Sequence, residues 1–277
     1  MQASTEGPKI DTRIRAIEEA FTNHWSVFGE WPGASLRDED GVRWFETPIA
    51  HLPYNAVIRT AIPDTVDADA VIERVTAGFR ARGVPFLWAL LPSDRPADLT
   101  QRLASNGLDL VEQATGMDLD LEDWDPDPPR SDVEVRHADD DEGLGHYEAL
   151  IRTYWSVPEA ERELIERLNR HWSGARSPGI RYVAYIDGTP VGKLFARHAD
   201  LPILGVFGVA VVPAARGRGV ATALMSRAMS EGRASGATRV VLHSSAMAQS
   251  LYARMGYRER CTIQVYATGP LFGTHHH

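Results

Sequence analysis

The sequence predicts an α/β fold built from two mixed-sheet domains in tandem, of which the C-terminal one is complete. Its 277 residues fit two domains of about 100–200 residues each. Apolar runs of strand length alternate with segments of helical spacing in both parts of the chain. A segment rich in proline and aspartate, 121–132, interrupts this alternation. We therefore place a first half at 1–124, a linker at 125–132 and a second half at 133–270.

The second half shows the fuller alternation. Asp187-Gly188 joins two apolar runs and is typical of a tight hairpin turn. The uncharged run 203–212 is expected to lie in the middle of a sheet. Strands are predicted at 133–137, 181–186, 190–197, 203–212, 239–243 and 257–267. Helices are predicted at 140–152, 158–170, 220–233 and 246–255.

The first half repeats the later part of that series in the same order. Strands are predicted at 55–60, 84–91 and 117–121, and helices at 68–82 and 96–105. The shared order of elements indicates an internal duplication.

Composition excludes several classes of protein. Hydrophobic residues make up 43% of the chain and charged residues 24%, which is the balance of a folded globular protein. A net charge of −9 argues against a nucleic-acid partner bound through a broad basic face. The single cysteine, Cys261, can form no internal disulfide, and no Cys/His cluster has the spacing of a metal site. The closing residues, 275–277, are interpreted as the remnant of a purification tag.

Membrane association is not expected from the sequence. The first fifteen residues mix both signs of charge without the apolar run of a signal peptide. The longest uncharged stretch, 201–215, contains two prolines and is too short to span a bilayer. We expect a cytoplasmic protein that is a monomer or a homodimer.

The most informative segment begins where the predicted strand 203–212 ends at Pro213. Arg216-Gly-Arg-Gly219 then leads directly into a predicted helix. Glycines let backbone N–H groups approach a ligand closely, and the start of a helix favours negative charge. A Walker loop would need a lysine here, and a dinucleotide fingerprint would need glycine in place of Thr222. The segment predicts an anion site of another kind, or else a surface turn without a ligand.

A second segment, 245–257, reads SAMAQSLYARMGY. Together with Arg216-x-x-Gly219-x-Ala221, it resembles the two signatures of the GCN5-related N-acetyltransferase (GNAT) family. These are Gln/Arg-x-x-Gly-x-Gly/Ala and Asn-x-x-Ala-x-x-Leu-Tyr-x-x-x-Gly-Phe/Tyr, with Ser245 in place of the usual asparagine. The resemblance covers roughly 133–267.

The first half resembles a degenerate, non-catalytic copy, with a possible role in the substrate pocket or in structure. Leu99-Thr100 stands where the second half has Leu251-Tyr252, and nothing replaces the Arg/Gly loop.

The resemblance implies acyl-CoA-dependent transfer of an acetyl group from acetyl-CoA to a primary amine of a small molecule. The amine would attack the thioester directly in a ternary complex, and no metal is implied. The pantetheine arm would pair with the backbone of the fourth strand, where an N–H near Val209 would polarise the thioester carbonyl. The residues implied in cofactor binding are Val209, Val211, Arg216, Gly217, Arg218, Gly219, Val220, Ala221, Thr222 and Ser245.

Tyr252 is the residue implied as the catalytic acid, since a phenol can return a proton to the thiolate leaving group. The general base is not identified by the family pattern, because Val240 stands at a usual glutamate position. His243 and His198, at the ends of predicted strands, are the nearest titratable candidates, and a chain of water molecules is the alternative.

The acceptor pocket is expected to involve the two early helices of the second half. Tyr154 and Trp155 are predicted to form an aromatic wall, to which Trp172 could add. With acidic neighbours such as Glu159 and Glu161, this wall would suit a cationic amine.

Two other functions remain open from the sequence. A sensor or scaffold could hold coenzyme A without turnover, which the missing strand carboxylate and Ser245 favour. A transferase could draw its acyl group from a longer acyl-CoA or an aminoacyl-tRNA, although the acidic charge argues against tRNA. Cys261 lies outside both motifs and is not expected to act as a nucleophile.

Overall fold

One continuous eleven-stranded mixed sheet organises the computed structural model, which describes residues 11–126, 132–199 and 202–268. The strands are β1 (Ser35–Glu39), β2 (Val42–Glu46), β3 (Ala56–Thr60), β4 (Leu87–Leu90), β5 (Asp109–Asp120), β6 (Glu134–His137), β7 (Ile180–Ile186), β8 (Thr189–His198), β9 (Ile203–Val211), β10 (Arg239–Ser244) and β11 (Arg258–Ala267). The helices are α1 (Thr12–Gly29), α2 (Ala68–Arg82), α3 (Leu99–Ser105), α4 (Asp141–Trp155), α5 (Arg162–His171), α6 (Val220–Ala234) and α7 (Ala246–Arg254).

The two halves of the chain exchange their last strands. The order across the sheet is β1-β2-β3-β4-β11-β5-β10-β9-β8-β7-β6. β11 pairs antiparallel with β4, and β5 pairs antiparallel with β10, while β5 and β11 lie side by side at the centre. Each half therefore completes the sheet of the other.

The same order of elements occurs twice around this centre. β3 and β4 are parallel and joined through α2, and β9 and β10 are parallel and joined through α6. In each half a short helix and an antiparallel strand follow. The tandem α/β architecture predicted from the sequence is confirmed.

Most elements of the second half lie where their patterns predicted them. At the hairpin between β7 and β8, Asp187 and Gly188 both have positive φ, 49° and 74°, as this turn requires. The helix predicted at 158–170 begins as a 3₁₀ turn over Glu159–Glu161 before α5. In the first half, β5 begins at Asp109, eight residues before the predicted strand.

The sequence reading missed α1, β1 and β2. α1 begins at its cap Asp11, whose side chain accepts a hydrogen bond from the Arg13 amide. Its buried face, which includes Ile17 and Phe21, packs in one cluster with Phe207 of β9 and with residues of β3, β4 and β11. α1 thus covers the junction of the two halves.

The proposed linker is only partly described. Residues 127–131 lie outside the described residues, as do residues 269–277 with the suggested tag. Just before this gap, Leu121 and Trp124 are buried in the core of the second half, and the Arg233 guanidinium lies 5.1 Å from the Trp124 ring centroid. Among the described residues, no helix is both long and apolar enough to cross a bilayer.

Candidate active site

The parallel strands β9 and β10 are paired over only part of their length. Their register runs from Ile203 opposite Arg239 to Val206 opposite Leu242, whereas β9 continues to Val211. Beyond that point the register of β9 with β8 also shifts, near Gly208, whose φ is +56°. Within the described part of the chain, the backbone of β9 from residue 207 onward is therefore unpaired on its β10 side.

At the end of β9, the Arg/Gly segment forms the turn that starts α6. Gly217 and Gly219 have φ values of 73° and 75°, which side chains rarely tolerate. A Cβ added at Gly217 would meet open space, so the loop surface is free for a ligand. Gly219 is the N-cap residue and has no side chain with which to bond the first-turn amides.

The charge around this helix start is positive. Arg216 and Arg218 are exposed on either side of Gly217, and the first turn, Val220-Ala221-Thr222, carries no acid. Free amides, a helix dipole and two guanidinium groups suit a diphosphate. The residues present thus fit the diphosphate end of coenzyme A, and the unpaired edge of β9, with Val209 and Val211, fits its extended arm.

A cavity of about 270 Å³ lies beside the unpaired part of β9. Its walls come from both halves of the chain and are largely aromatic. Side chains from α1, α4, α5, β8 and β9 contribute, among them Phe21, Trp25, Tyr147, Trp172, Phe195 and Phe207.

Several residues predicted from the sequence meet at this cavity. Val209, His243, Ser245 and Tyr252 all line it. Tyr252, on α7, is 5% exposed, and burial raises the pKa of its phenol so that it stays protonated at neutral pH. Ser245 is the N-cap residue of α7.

The two histidine candidates lie in different places. His243 lines the cavity with its ring 5.3 Å from that of Phe21, and burial lowers the pKa of its imidazole to about 4. A histidine with this pKa is neutral at pH 7 and is a weak base. His198 lines a separate pocket with Tyr182 and Glu231.

Tyr154 and Trp155 line the cavity as expected, with their rings edge to face 4.8 Å apart, and Trp172 lines it as well. The acidic neighbours are arranged differently from the expectation. Glu161 accepts a hydrogen bond from the Ala50 amide of the first half, and Glu159 faces Arg162. Neither glutamate lines the cavity.

Charged groups that the sequence reading missed also line the cavity. Glu112, on β5 of the first half, is the only carboxylate among the described residues that line it. Burial raises the pKa of Glu112, and its charge helps to raise that of Tyr154. Lys193 and Arg181, on β8 and β7, line the cavity as well. An aromatic stripe at helical spacing in α1 was the one local signal for the wall that the first half supplies.

Comparison with known proteins gives a family match in the second half of the chain. Residues 146–257 match the model of the Acetyltransferase (GNAT) family. A search of curated proteins gives no match.

Solved structures similar to the chain share its fold over nearly its whole length. A GCN5-related N-acetyltransferase from Kribbella flavida has a TM-score of 0.67 at 16% identity, covering 91% of this chain and 95% of its own. A tandem GNAT protein from the clavulanic acid biosynthesis pathway has a TM-score of 0.58 at 13% identity, covering 95% and 97%. A GCN5-related N-acetyltransferase from Sphaerobacter thermophilus has a TM-score of 0.58 at 16% identity, covering 86% and 76%. The second half of the chain thus matches the GNAT family model, and the whole chain has the fold of a tandem GNAT protein.

Proposed function

We propose that the protein is an N-acetyltransferase that moves an acetyl group from acetyl-CoA to a primary amine of a small molecule by direct attack in a ternary complex. The observation that carries this proposal is the unpaired edge of β9. It starts at the cavity that Tyr252 lines and ends at the Arg/Gly loop of α6.

Acetyl-CoA supplies the activated thioester. In this proposal, residues along that edge bind its successive parts. The amides of 217–222 bind the diphosphate, and Arg216 and Arg218 neutralise its charge. The backbone of Val209 and Val211 pairs with the pantetheine arm. The N–H of Val209 donates to the thioester carbonyl, where negative charge develops during attack.

Tyr252 donates a hydrogen bond to the departing thiolate. Its raised pKa makes complete proton transfer to a thiolate less favourable than for an ordinary phenol, since a thiol has a pKa near 8.5. The donated hydrogen bond is therefore its first contribution. The phenol proton passes to the thiolate as it leaves, and Tyr252 is reprotonated by the proton that the amine nitrogen loses on becoming an amide.

Glu112 removes the proton of the attacking amine, which is mostly protonated at neutral pH. Burial raises the pKa of this carboxylate above its ordinary value and makes it a better base than an exposed glutamate. In this proposal the first half does not bind acetyl-CoA, but it supplies the general base. His243, with a pKa of about 4, is the weaker candidate.

We further propose a cytoplasmic monomer or homodimer that needs no metal, membrane or nucleic acid. The net charge of −9 supports the last of these.

The test is calorimetric titration of acetyl-CoA and free coenzyme A into wild type and an Arg216→Ala/Arg218→Ala double variant. We expect one-to-one binding that weakens at least about tenfold in the variant, because charge-assisted hydrogen bonds to the diphosphate are lost. Arg37→Ala/Arg74→Ala removes two exposed guanidinium groups of the first half and serves as the charge-matched control. Absence of binding to folded wild type would overturn the proposal.

Turnover separates the enzyme from the two other functions. Tyr252→Phe is expected to bind acetyl-CoA normally but to lower kcat by about 10²-fold or more. Binding without transfer to any amine would support a sensor or scaffold. Transfer only from longer acyl-CoA or from aminoacyl-tRNA would support another donor.

A further inference from the structure

Two buried basic side chains of the cavity wall, Lys193 and Arg181, lie near the same aromatic ring. Lys193 is 2% exposed, its Nζ donates a hydrogen bond of 2.7 Å to the Gly208 carbonyl, and it lies 5.3 Å from the centroid of the Tyr147 ring. Arg181 is 8% exposed, and its guanidinium donates to the Trp172 carbonyl at 2.8 Å. The Arg181 guanidinium lies 5.7 Å from the same Tyr147 ring. Both side chains line the cavity.

Neither basic side chain has an ionic partner among the described residues. Within the described ranges, no carboxylate lies within 4.0 Å of Lys193 Nζ or of the Arg181 guanidinium. Glu148 acts on Arg181 at longer range, but burial raises the pKa of Glu148 to about 7, so it carries only part of a charge at neutral pH. His24, which also lines the cavity, has its pKa lowered by burial and is neutral. Burial lowers the pKa of Lys193 to about 7, so the free protein carries only part of this charge at neutral pH. An anionic ligand group would favour the charged form of Lys193 and would also pair with the buried Arg181, so such a group is expected to complete the site.

The cavity wall also contains hydrogen-bond donors that have no acceptor. Buried N–H groups of Trp25, Trp172 and Asn169 have no acceptor among the residues that the structure describes. Unsatisfied buried donors are costly and indicate a ligand that brings acceptors. The same wall offers one carboxylate, Glu112, against the two basic side chains and these three donor groups.

We propose that the acceptor amine also carries a carboxylate, which binds at Lys193 and Arg181, on an apolar or aromatic body that fills the aromatic cavity. This inference rests on the proposed function and names its substrate class. The ammonium end of such a molecule meets Glu112, whose charge acts on Tyr154, while Lys193 Nζ lies 6.0 Å from the ring of the same tyrosine. Opposite charges near one side chain suit a molecule with amino and carboxylate groups rather than a simple cationic amine.

The test compares amines that differ only in a carboxylate, at saturating acetyl-CoA. The pairs are L-phenylalanine and phenethylamine, L-leucine and isopentylamine, L-tryptophan and tryptamine, and para-aminomethylbenzoate and benzylamine. We expect kcat/KM to be at least about tenfold higher for the carboxylate member of at least one pair, the effect of one charge-assisted hydrogen bond.

Lys193→Gln separates the charge of Lys193 from its structural bond, because glutamine can still donate to the Gly208 carbonyl. We expect it to bring the ratio within each preferred pair close to one. Arg197→Gln is the matched control, since Arg197 lies on the same face of β8, donates to the Asn23 carbonyl at 2.8 Å and does not line the cavity. The ratio is expected to be unchanged in that control.

Equal or better turnover of every simple amine would overturn the inference, and so would absence of turnover with every carboxylate member. A wild-type ratio in folded Lys193→Gln would overturn the role of Lys193. If Lys193→Gln does not fold, the wild-type ratios still decide. Failure of the proposed function is seen separately, as absence of acetyl-CoA binding by calorimetry. In that case the same pairs of amines are titrated directly into the protein. The inference is overturned if no carboxylate member binds more tightly than its simple amine.

Discussion

The two crossover helices, α2 in the first half and α6 in the second, begin in opposite ways. At α2, the Asp67 side chain accepts hydrogen bonds from two first-turn amides, and Asp69 adds a second acid to the same turn. At α6, the cap is Gly219, and arginines precede it. A helix start attracts negative charge. At α2 the chain's own carboxylates supply that charge, whereas the start of α6 has none and is open to an anionic ligand. One fold repeated twice thus yields one candidate cofactor site.

The strand beside each crossover shows a second difference. In the first half, Arg43 lies beside a register shift in β2 and donates at 2.8 Å to Asp38 near the surface. In the second half, Lys193 lies beside the corresponding shift in β8 and is buried without a carboxylate partner among the described residues. At this position the first half pairs its basic group with a carboxylate, whereas the basic group of the second half is buried beside the cavity. The first half nevertheless supplies α1 and Glu112 to the cavity.

The largest expected effect concerns the exchanged strands. Residues 127–277 expressed alone are expected to show no cooperative unfolding, because β5, which lies between β10 and β11 in the sheet, is then missing. Circular dichroism during heating measures this. Co-expression of 1–126 with 127–277 is the control and is expected to restore a folded complex. A native-like melting transition of the second half alone would show that each half is an independent domain.

Local patterns explain why much of the second half could be predicted. Turn residues such as Asp187-Gly188 and the apolar run of β9 are visible within a few positions. The Arg/Gly loop was identified because all its groups lie in one segment. By contrast, the pairing of β5 with β10 joins residues more than a hundred positions apart, and no periodicity encodes it. Glu112 and the α1 wall were missed for that reason.

The next effect concerns how the stability of the protein depends on pH through Lys193, in comparison with Arg43. Burial lowers the pKa of Lys193 from 10.5 to about 7, so between these pH values the unfolded chain binds a proton that the folded protein does not. The free energy of unfolding of wild type, relative to Lys193→Met, is therefore expected to rise with pH by up to about 1.4 kcal/mol per unit across this window. Urea unfolding between pH 6 and 10, without ligand, measures the slope.

Arg43→Met is the matched control for this measurement. The exposed pair of Arg43 with Asp38 is expected to contribute less than about 1 kcal/mol, independently of pH above 6. Loss of the Lys193 bond to Gly208 shifts the Lys193→Met curve by a constant and leaves the slope as the readout. Parallel curves for wild type and Lys193→Met would mean that Lys193 is not held in a low-polarity site.

The smallest effect on stability tests the helix starts directly. Ala221 of α6 occupies the position that Asp69 has in α2, the second residue of the helix. Ala221→Asp is expected to stabilise the protein by about 0.3–1 kcal/mol at low salt through the helix dipole. The same carboxylate would repel a diphosphate, so calorimetry is expected to show weaker coenzyme A binding in a more stable protein.

Asp69→Ala is the mirror-image variant. It is expected to lose a similar fraction of a kcal/mol, because Asp69 is exposed and its pair with Arg102 contributes little, while coenzyme A binding stays unchanged. A gain in stability with a loss of coenzyme A affinity in Ala221→Asp, and no change of affinity in Asp69→Ala, would place the cofactor at the start of α6 and not at that of α2. Unchanged affinity in Ala221→Asp would place the diphosphate elsewhere, because an added carboxylate within one helical turn of a bound anion cannot be neutral to it.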